Sequence, residues 1–306
     1  MGEDRGLGGW IHQIRNMHVI LNGLGTGLLV ALLASAFTVV YQPSRVFHLA
    51  LAGIYTAVPY IAWTATKSGL ALPLAVALAV TFGIIASLLC DYLNHRPLRR
   101  KSASEAAHFV SSLGISIAMV QIVALLFGNE SQVLRTGVNK TITFAGAMLT
   151  HTQIASALVA ASFLIGYAVW LRLTGFGLQL RALANNPVEV ALKGYSVRRL
   201  HLLAFGISGA LGSVAALLAS YDLGFDPHGG LSALLLAIVA MIIGGRQSFL
   251  GPILGGIILG IVRSSVVWYW SAKWQDAVTF FLLAVGLLLF PNGLLSRKTR
   301  LEATPS

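Results

Sequence analysis

The sequence predicts an all-α polytopic membrane protein, a helix bundle of about eight to nine spanning segments with short broken helices and a possible inverted repeat. Three observations carry this. Of 306 residues, 56% are hydrophobic and 10% charged, where a soluble domain carries about 25% charged residues. Mean hydropathy is +0.79. Several apolar runs approach the roughly 20 residues that cross a bilayer core, and they run continuously rather than alternating, which excludes a strand-built barrel.

Nine apolar segments can be read: 20–41, 47–66, 70–93, 108–127, 151–171, 201–221, 230–244, 250–270 and 277–290. Ala34-Ser35-Ala36 resembles a signal-peptide cleavage site. The stretch before it sets Glu3 and Asp4 against Arg5 and Arg15 and the apolar run is long, so it reads as a span. The net charge of +11 would suggest nucleic acid in a soluble protein. In a membrane protein it reflects cytoplasmic loops that collect Lys and Arg, and no nucleic-acid partner is expected. "NHRPLRRK" follows the third segment, Arg181, Lys193, Arg198 and Arg199 the fifth, Arg246 the seventh and "SRKTR" the ninth. The alternate loops hold Glu130, Arg135 and Lys140, then Asp222 and Asp226. That alternation predicts an external N-terminus and a cytoplasmic C-terminus, with "VVWYW" (266–270) anchoring the outer interface. The expected organisation is an extracytoplasmic segment 1–19, one transmembrane domain 20–293 with a cytoplasmic region at 174–200, and a cytoplasmic tail 294–306.

Segments 230–244 and 277–290 are short, and 47–66 follows Gln42-Pro43-Ser44-Arg45 and contains Pro59. Broken helices survive at membrane depth only where protein or a water-filled cavity covers the freed backbone, and they point to transport sites. The stretch from Val30 resembles that from Val214, each a helix, a polar turn with proline and a short apolar stretch. Five segments separate them, so the copies would be inverted. Gly251, Gly255, Gly256 and Gly260 form small-xxx-small pairs suited to close helix packing. The lone cysteine, Cys90, excludes an internal disulfide. No metal site or cofactor is expected in this chain.

"RALANNPVEVALKGYSVRRL" (181–200) is a polar, well-punctuated interruption. Asn186 suits an N-cap, Pro187 the first helical position, and Glu189 completes a capping-box spacing. Lys193 falls in the last turn and Gly194 can close it in the left-handed conformation. Val188, Ala191, Leu192 and Tyr195 share one face. A helix of two turns is unstable alone in water, so it rests on lipid headgroups or docks a cytoplasmic partner. The chain has no G-x-x-x-x-G-K-[ST], H-E-x-x-H or G-x-S-x-G motif. No catalytic constellation emerges, and any nucleotide hydrolysis must come from another polypeptide.

With these residues in view, the chain resembles the permease subunits of bacterial ABC importers for branched-chain amino acids and, more distantly, urea and ribose permeases. "RALANNPVEVALKGYSV", "GGRQSFLGPILGGIILGIV" and "WQDAVTFFLLAVGLLLFPNGLLSR" carry the likeness, in that order along the chain. The resemblance implies an inner-membrane protein that pairs with a second permease. It also implies two cytoplasmic ATPases, which use ATP and Mg, and an external substrate-binding protein. Arg181 and the segment Asn186, Pro187, Val188, Glu189, Ala191, Leu192, Lys193 and Gly194 would then couple to the ATPases. The chain departs from the pattern at "VFHLALAG", where the family often reads N-F-A-H-G-E, at Arg246 and at Arg263.

Four residues are candidates for the substrate path. Arg263 lies in an apolar segment, where an ionisable group is functional by default, or it snorkels to the outer interface. His48 opens a broken helix with Tyr55 two turns on, and could instead bond a neighbouring helix. Gln121 lines a path or bridges helices. Asp226 reads as an exposed loop acid that could meet a binding protein. The competing class is an ion-gradient-driven transporter, for which Asp91 is the available intramembrane acid.

Overall fold

The computed structural model describes residues 3–135, 141–144, 147–289 and 293–295. Lys140, the "SRKTR" run and the rest of the tail from 296 lie outside the described residues. The elements are α1 (Glu3–Ser44), α2 (Ala50–Lys67), α3 (Leu72–Leu89), α4 (Arg96–Arg100), α5 (Glu105–Phe127), β1 (Thr141–Phe144), β2 (Ala147–Thr150), α6 (His151–Leu173), α7 (Gly175–Asn185), α8 (Pro187–Leu192), α9 (Val197–Leu223), α10 (Gly229–Gly244), α11 (Gly251–Tyr269) and α12 (Gln275–Leu289). A wider π turn, Cys90–His95, joins α3 to α4 into one rod, Leu72–Arg100. Among the described residues seven helices are long and apolar enough to cross a membrane, and α10 is a shorter apolar helix.

The helix of the first span begins at Glu3, well ahead of the apolar run at 20. α2 is different in kind. From Ala50 to Ala62 it is buried on nearly every side, because α3, α5, α9 and α10 all pack on it. An internal helix needs no lipid-facing stripe.

The connections gather at two ends. At one lie the α1–α2 junction, α4, α7, α8 and the α10–α11 turn, with Arg45, Arg96, Arg99, Arg100, Lys101, Arg181, Lys193, Arg198, Arg199 and Arg246. Here the backbone amide of Leu294 donates to Ile243 O at 3.0 Å, returning the chain after α12 to this basic end. At the other end Gln132 bridges Phe225, Thr152 Oγ1 donates to Asp222 Oδ1 at 3.1 Å, and the His18 and Trp268 rings stand 5.1 Å apart. A two-stranded antiparallel hairpin, in register from Thr141↔Thr150 to Phe144↔Ala147, precedes α6 there. Thr150 and Gln153 then form a complete capping box.

α1 runs through the core between α6, α9, α10 and α11. Its approach to α11 is possible only because glycines meet. A Cβ at Gly256 would lie 2.6 Å from Ala31 Cα, and one at Gly23 2.6 Å from Ile261 Cα. The four glycines of α11 serve two faces: Gly256 and Gly260 meet α1, Gly251 and Gly255 meet α10. Without a hydrophobic drive between helices in lipid, such backbone contact supplies the packing.

The two repeat-like stretches are helix–break–helix units. α1 breaks after Pro43–Ser44 at the basic end, and α9 breaks around Pro227 at the opposite end. Inverted copies place their breaks on opposite sides.

Candidate transport and docking site

Thr174 starts the segment at the basic end by accepting from the Gly177 amide at 3.1 Å, capping α7. Glycine is required at 177, where a Cβ would stand 2.7 Å from Leu171 Cα. α7 buries Leu180 and Leu183, and Leu183 joins Val190 and Leu200 in a small cluster. Asn186 then accepts from the Val188 and Glu189 amides at 3.1 and 3.2 Å, starting α8. Gly194 closes it at φ 80°. Only Val190 of α8 turns inward, leaving Val188 66%, Leu192 82% and Tyr195 47% exposed. Glu189, Ala191 and Lys193 are also exposed, and Arg181 is half-buried.

One expectation needs correction. Glu189 does not complete a capping box, because the Asn186 amide already donates to Ala182 O at 2.9 Å as the closing bond of α7. Asn186 ends one helix and begins the next, and its side chain alone satisfies the two free amides of α8.

The docking segment is tied to the first break. Arg45, in the left-handed region at φ 55°, donates from Nη2 to Ala184 O at 3.4 Å. His201 Nε2 on α9 donates to Pro43 O at 3.4 Å. The unwound backbone is satisfied by side chains, as membrane depth demands. Ser112 Oγ on α5 accepts from the Leu49 amide at 3.2 Å and donates to Phe47 O at 2.9 Å. At the other break Thr56 Oγ1 on α2 donates to Pro227 O at 3.3 Å. Each proline carbonyl is thus held by a side chain from the other unit.

The four path candidates separate. His48 is fully enclosed, its ring 4.9 Å from Phe205 and 5.6 Å from His95, with Nε2 3.5 Å from Ser87 Oγ. That is the helix-bonding alternative. Gln121 is exposed on the outer face of α5. Arg263 donates to Asp276 at 3.0 Å and Thr279 at 2.9 Å, and lies 3.4 Å from Gln275 Oε1. Its guanidinium clamps α11 to α12. Tyr55 alone opens on a recess, a 130 Å³ space between α2 and the α9–α10 break that includes Thr56, Pro59, Asp226 and Ala233.

Two features were not anticipated from sequence. His95 Nδ1 and His108 Nδ1 stand 3.2 Å apart, one donating and one accepting. Beside them buried Asp91 pairs with Arg99. The stretch "DYLNHRPLR" (91–99) held the signal, since Asp91 and Arg99 lie eight apart across the π turn. No group of three His, Cys, Asp or Glu among the described residues could hold a metal ion.

Long apolar helices, two proline-broken units and a capped amphipathic helix left bare at one end define a multi-pass membrane protein of the permease class. The chain belongs to the family described as the branched-chain amino acid transport system permease component, whose model matches residues 19–287. It is 28% identical over 293 residues to the high-affinity branched-chain amino acid transport system permease protein BraD of Pseudomonas aeruginosa, covering 91% of this chain and 95% of that one. It is 26% identical over 299 residues to the corresponding LivH protein of Escherichia coli strain K12, covering 91% and 94%. The probable branched-chain amino acid transport permease LivH of Methanocaldococcus jannaschii is 26% identical over 282 residues, covering 87% and 88%.

Proposed function

We propose that this chain is the membrane-embedded subunit of an ABC importer for branched-chain or other small amino acids. Separate ATPase subunits, which hold ATP and Mg, energise it from the cytoplasm. A second permease, identical or different, completes the path, and an external binding protein delivers substrate. The basic end faces the cytoplasm of a bacterial inner membrane, so the N-terminus is outside and the C-terminus inside.

The observation that carries this reading is the exposed apolar face of α8. Val188 and Leu192 project from a helix too short to hold itself, and Tyr195 from the turn that follows it, on the basic end with Glu189 and Lys193 exposed beside them. Force applied there reaches α2 by two links already in place, Arg45 to Ala184 and His201 to Pro43. Displacing rigid helices about a break is the ordinary mode of alternating access.

The ion-gradient alternative needs a free intramembrane acid. Asp91, its candidate, is engaged by Arg99, which favours the ATP-driven reading. The test is leucine uptake into proteoliposomes. Uptake should require the ATPase subunits, the binding protein and ATP. Uptake by the chain alone under a proton or sodium gradient would replace this reading with the alternative.

A further inference from the structure

The recess beside Tyr55 joins features that the packing alone does not use. Its 130 Å³ is close to the roughly 150 Å³ of a dry engineered cavity that admits benzene. Pro59, Ala219, Phe225 and Ala233 give it apolar walls. Asp226 lies on one side, at the α9–α10 break, and Tyr55 on the other, on α2. One carboxylate oxygen, Oδ1, accepts the His228 amide at 2.8 Å. Among the described residues the second, Oδ2, receives no hydrogen bond and Asp226 forms no ion pair. Asp226 is half-buried in the connection between α9 and α10, at the end opposite the basic one, so its carboxylate is open to an incoming group while the apolar walls stand beside it. A lone carboxylate supplies too few oxygens for a divalent cation. It suffices for one ammonium group.

We propose that this recess binds the α-ammonium group and the short aliphatic side chain of a zwitterionic amino acid, with Asp226 as the counter-ion. The inference rests on the importer reading above and names the contact by which that importer selects its substrate. The apolar walls take the side chain. Tyr55 and Thr56 are the polar residues with which α2 lines the recess. Thr56 belongs to the same wall and holds Pro227 O, so a shift of α2 changes the recess and its affinity together. Weak, single-charge recognition suits a transporter, which must release what it binds.

The test uses the full complex in proteoliposomes, with L-leucine as probe. Asp226→Asn keeps an oxygen for the His228 amide and removes the charge. Leucine uptake should fall by about tenfold or more, the scale of a lost charge-assisted hydrogen bond. Because that variant could fail to assemble, Ala233→Cys in a Cys90→Ala background provides a second measurement. Leucine should slow labelling of the introduced thiol by a cationic thiol reagent. The matching keto acid, 4-methyl-2-oxopentanoate, which lacks the ammonium, should not. Leucine import at the wild-type rate by Asp226→Asn, or equal labelling with and without leucine, overturns the recess while leaving the importer intact. If the unmodified complex imports no leucine with ATP, the functional reading fails first and the recess with it.

Discussion

His201 Nε2 donates to the Pro43 carbonyl across 3.4 Å, joining the first turns of α9 to the last turn of α1. Its counterpart is Thr56, which holds the Pro227 carbonyl at the opposite break from 3.3 Å. A carbonyl freed by a helix break inside a bundle must find a donor, and here each unit supplies it to the other. Each break is therefore tied to the other unit by one hydrogen bond.

Removing either donor should loosen its own break. Thr56→Val and His201→Leu should each lower stability in detergent by about 1 kcal/mol, the usual worth of such a bond in a membrane bundle. Thermal unfolding of the purified protein reads the change. ATP-stimulated uptake should fall further than stability does, because the link carries motion as well as packing. Unchanged uptake at either site would separate the breaks.

The Asp91–Arg99 pair is buried on the carboxylate side, where Asp91 is 1% exposed. Arg99→Met alone strands that charge and should cost about 3–5 kcal/mol. The double variant Asp91→Asn with Arg99→Met should recover most of the loss. Melting temperatures of the two variants decide it, and equal destabilisation would show that packing of the arginine stem matters more than its charge.

Glycine positions on the α1–α11 seam should tolerate nothing larger. Gly256→Val forces branched carbons toward Ala31 Cα and should cost at least about 1–3 kcal/mol or block assembly. Gly166→Ala, where a Cβ meets nothing within 4 Å, should be neutral or stabilising by up to about 1 kcal/mol. Expression yield and unfolding temperature measure both.

Arg263→Met distinguishes a clamp from a path residue. The arginine is held by Asp276 and Thr279, so its loss should free α12 from α11 and lower the melting temperature. The leucine concentration for half-maximal uptake should not change. A selective loss of substrate affinity at wild-type stability would return Arg263 to the path.

Local chemistry is readable from sequence. Asn186, Pro187 and Gly194 mark α8 because capping depends on neighbours in the chain. The exposed face of Val188, Leu192 and Tyr195 follows from helical spacing alone. The second half of the capping box is not readable in the same way, because it depends on α7 running on to Asn185 and closing on the Asn186 amide. With α7 present, the Asn186 amide is already occupied. The Thr-rich hairpin at 141–150 lacks a hydrophobic alternation long enough to read. Long-range pairs are beyond reach. Nothing in the spacing of Pro43 and His201, 158 residues apart, shows that they meet. Arg263 is legible as an unusual residue, but its partners 13 and 16 positions on belong to the next helix, so its role is not.

On the proposed reading, the ATPase subunits engage the permease through α8. Reversing both exposed charges, with Glu189→Lys and Lys193→Glu, leaves the inward Val190 untouched. The decisive measurement is co-purification of the ATPase subunits with this variant, compared with the unmodified permease. The variant should fold and insert normally yet retain little or no ATPase. Full retention of the ATPase, with uptake undiminished, would place the contact elsewhere and remove the basis of the coupling described above.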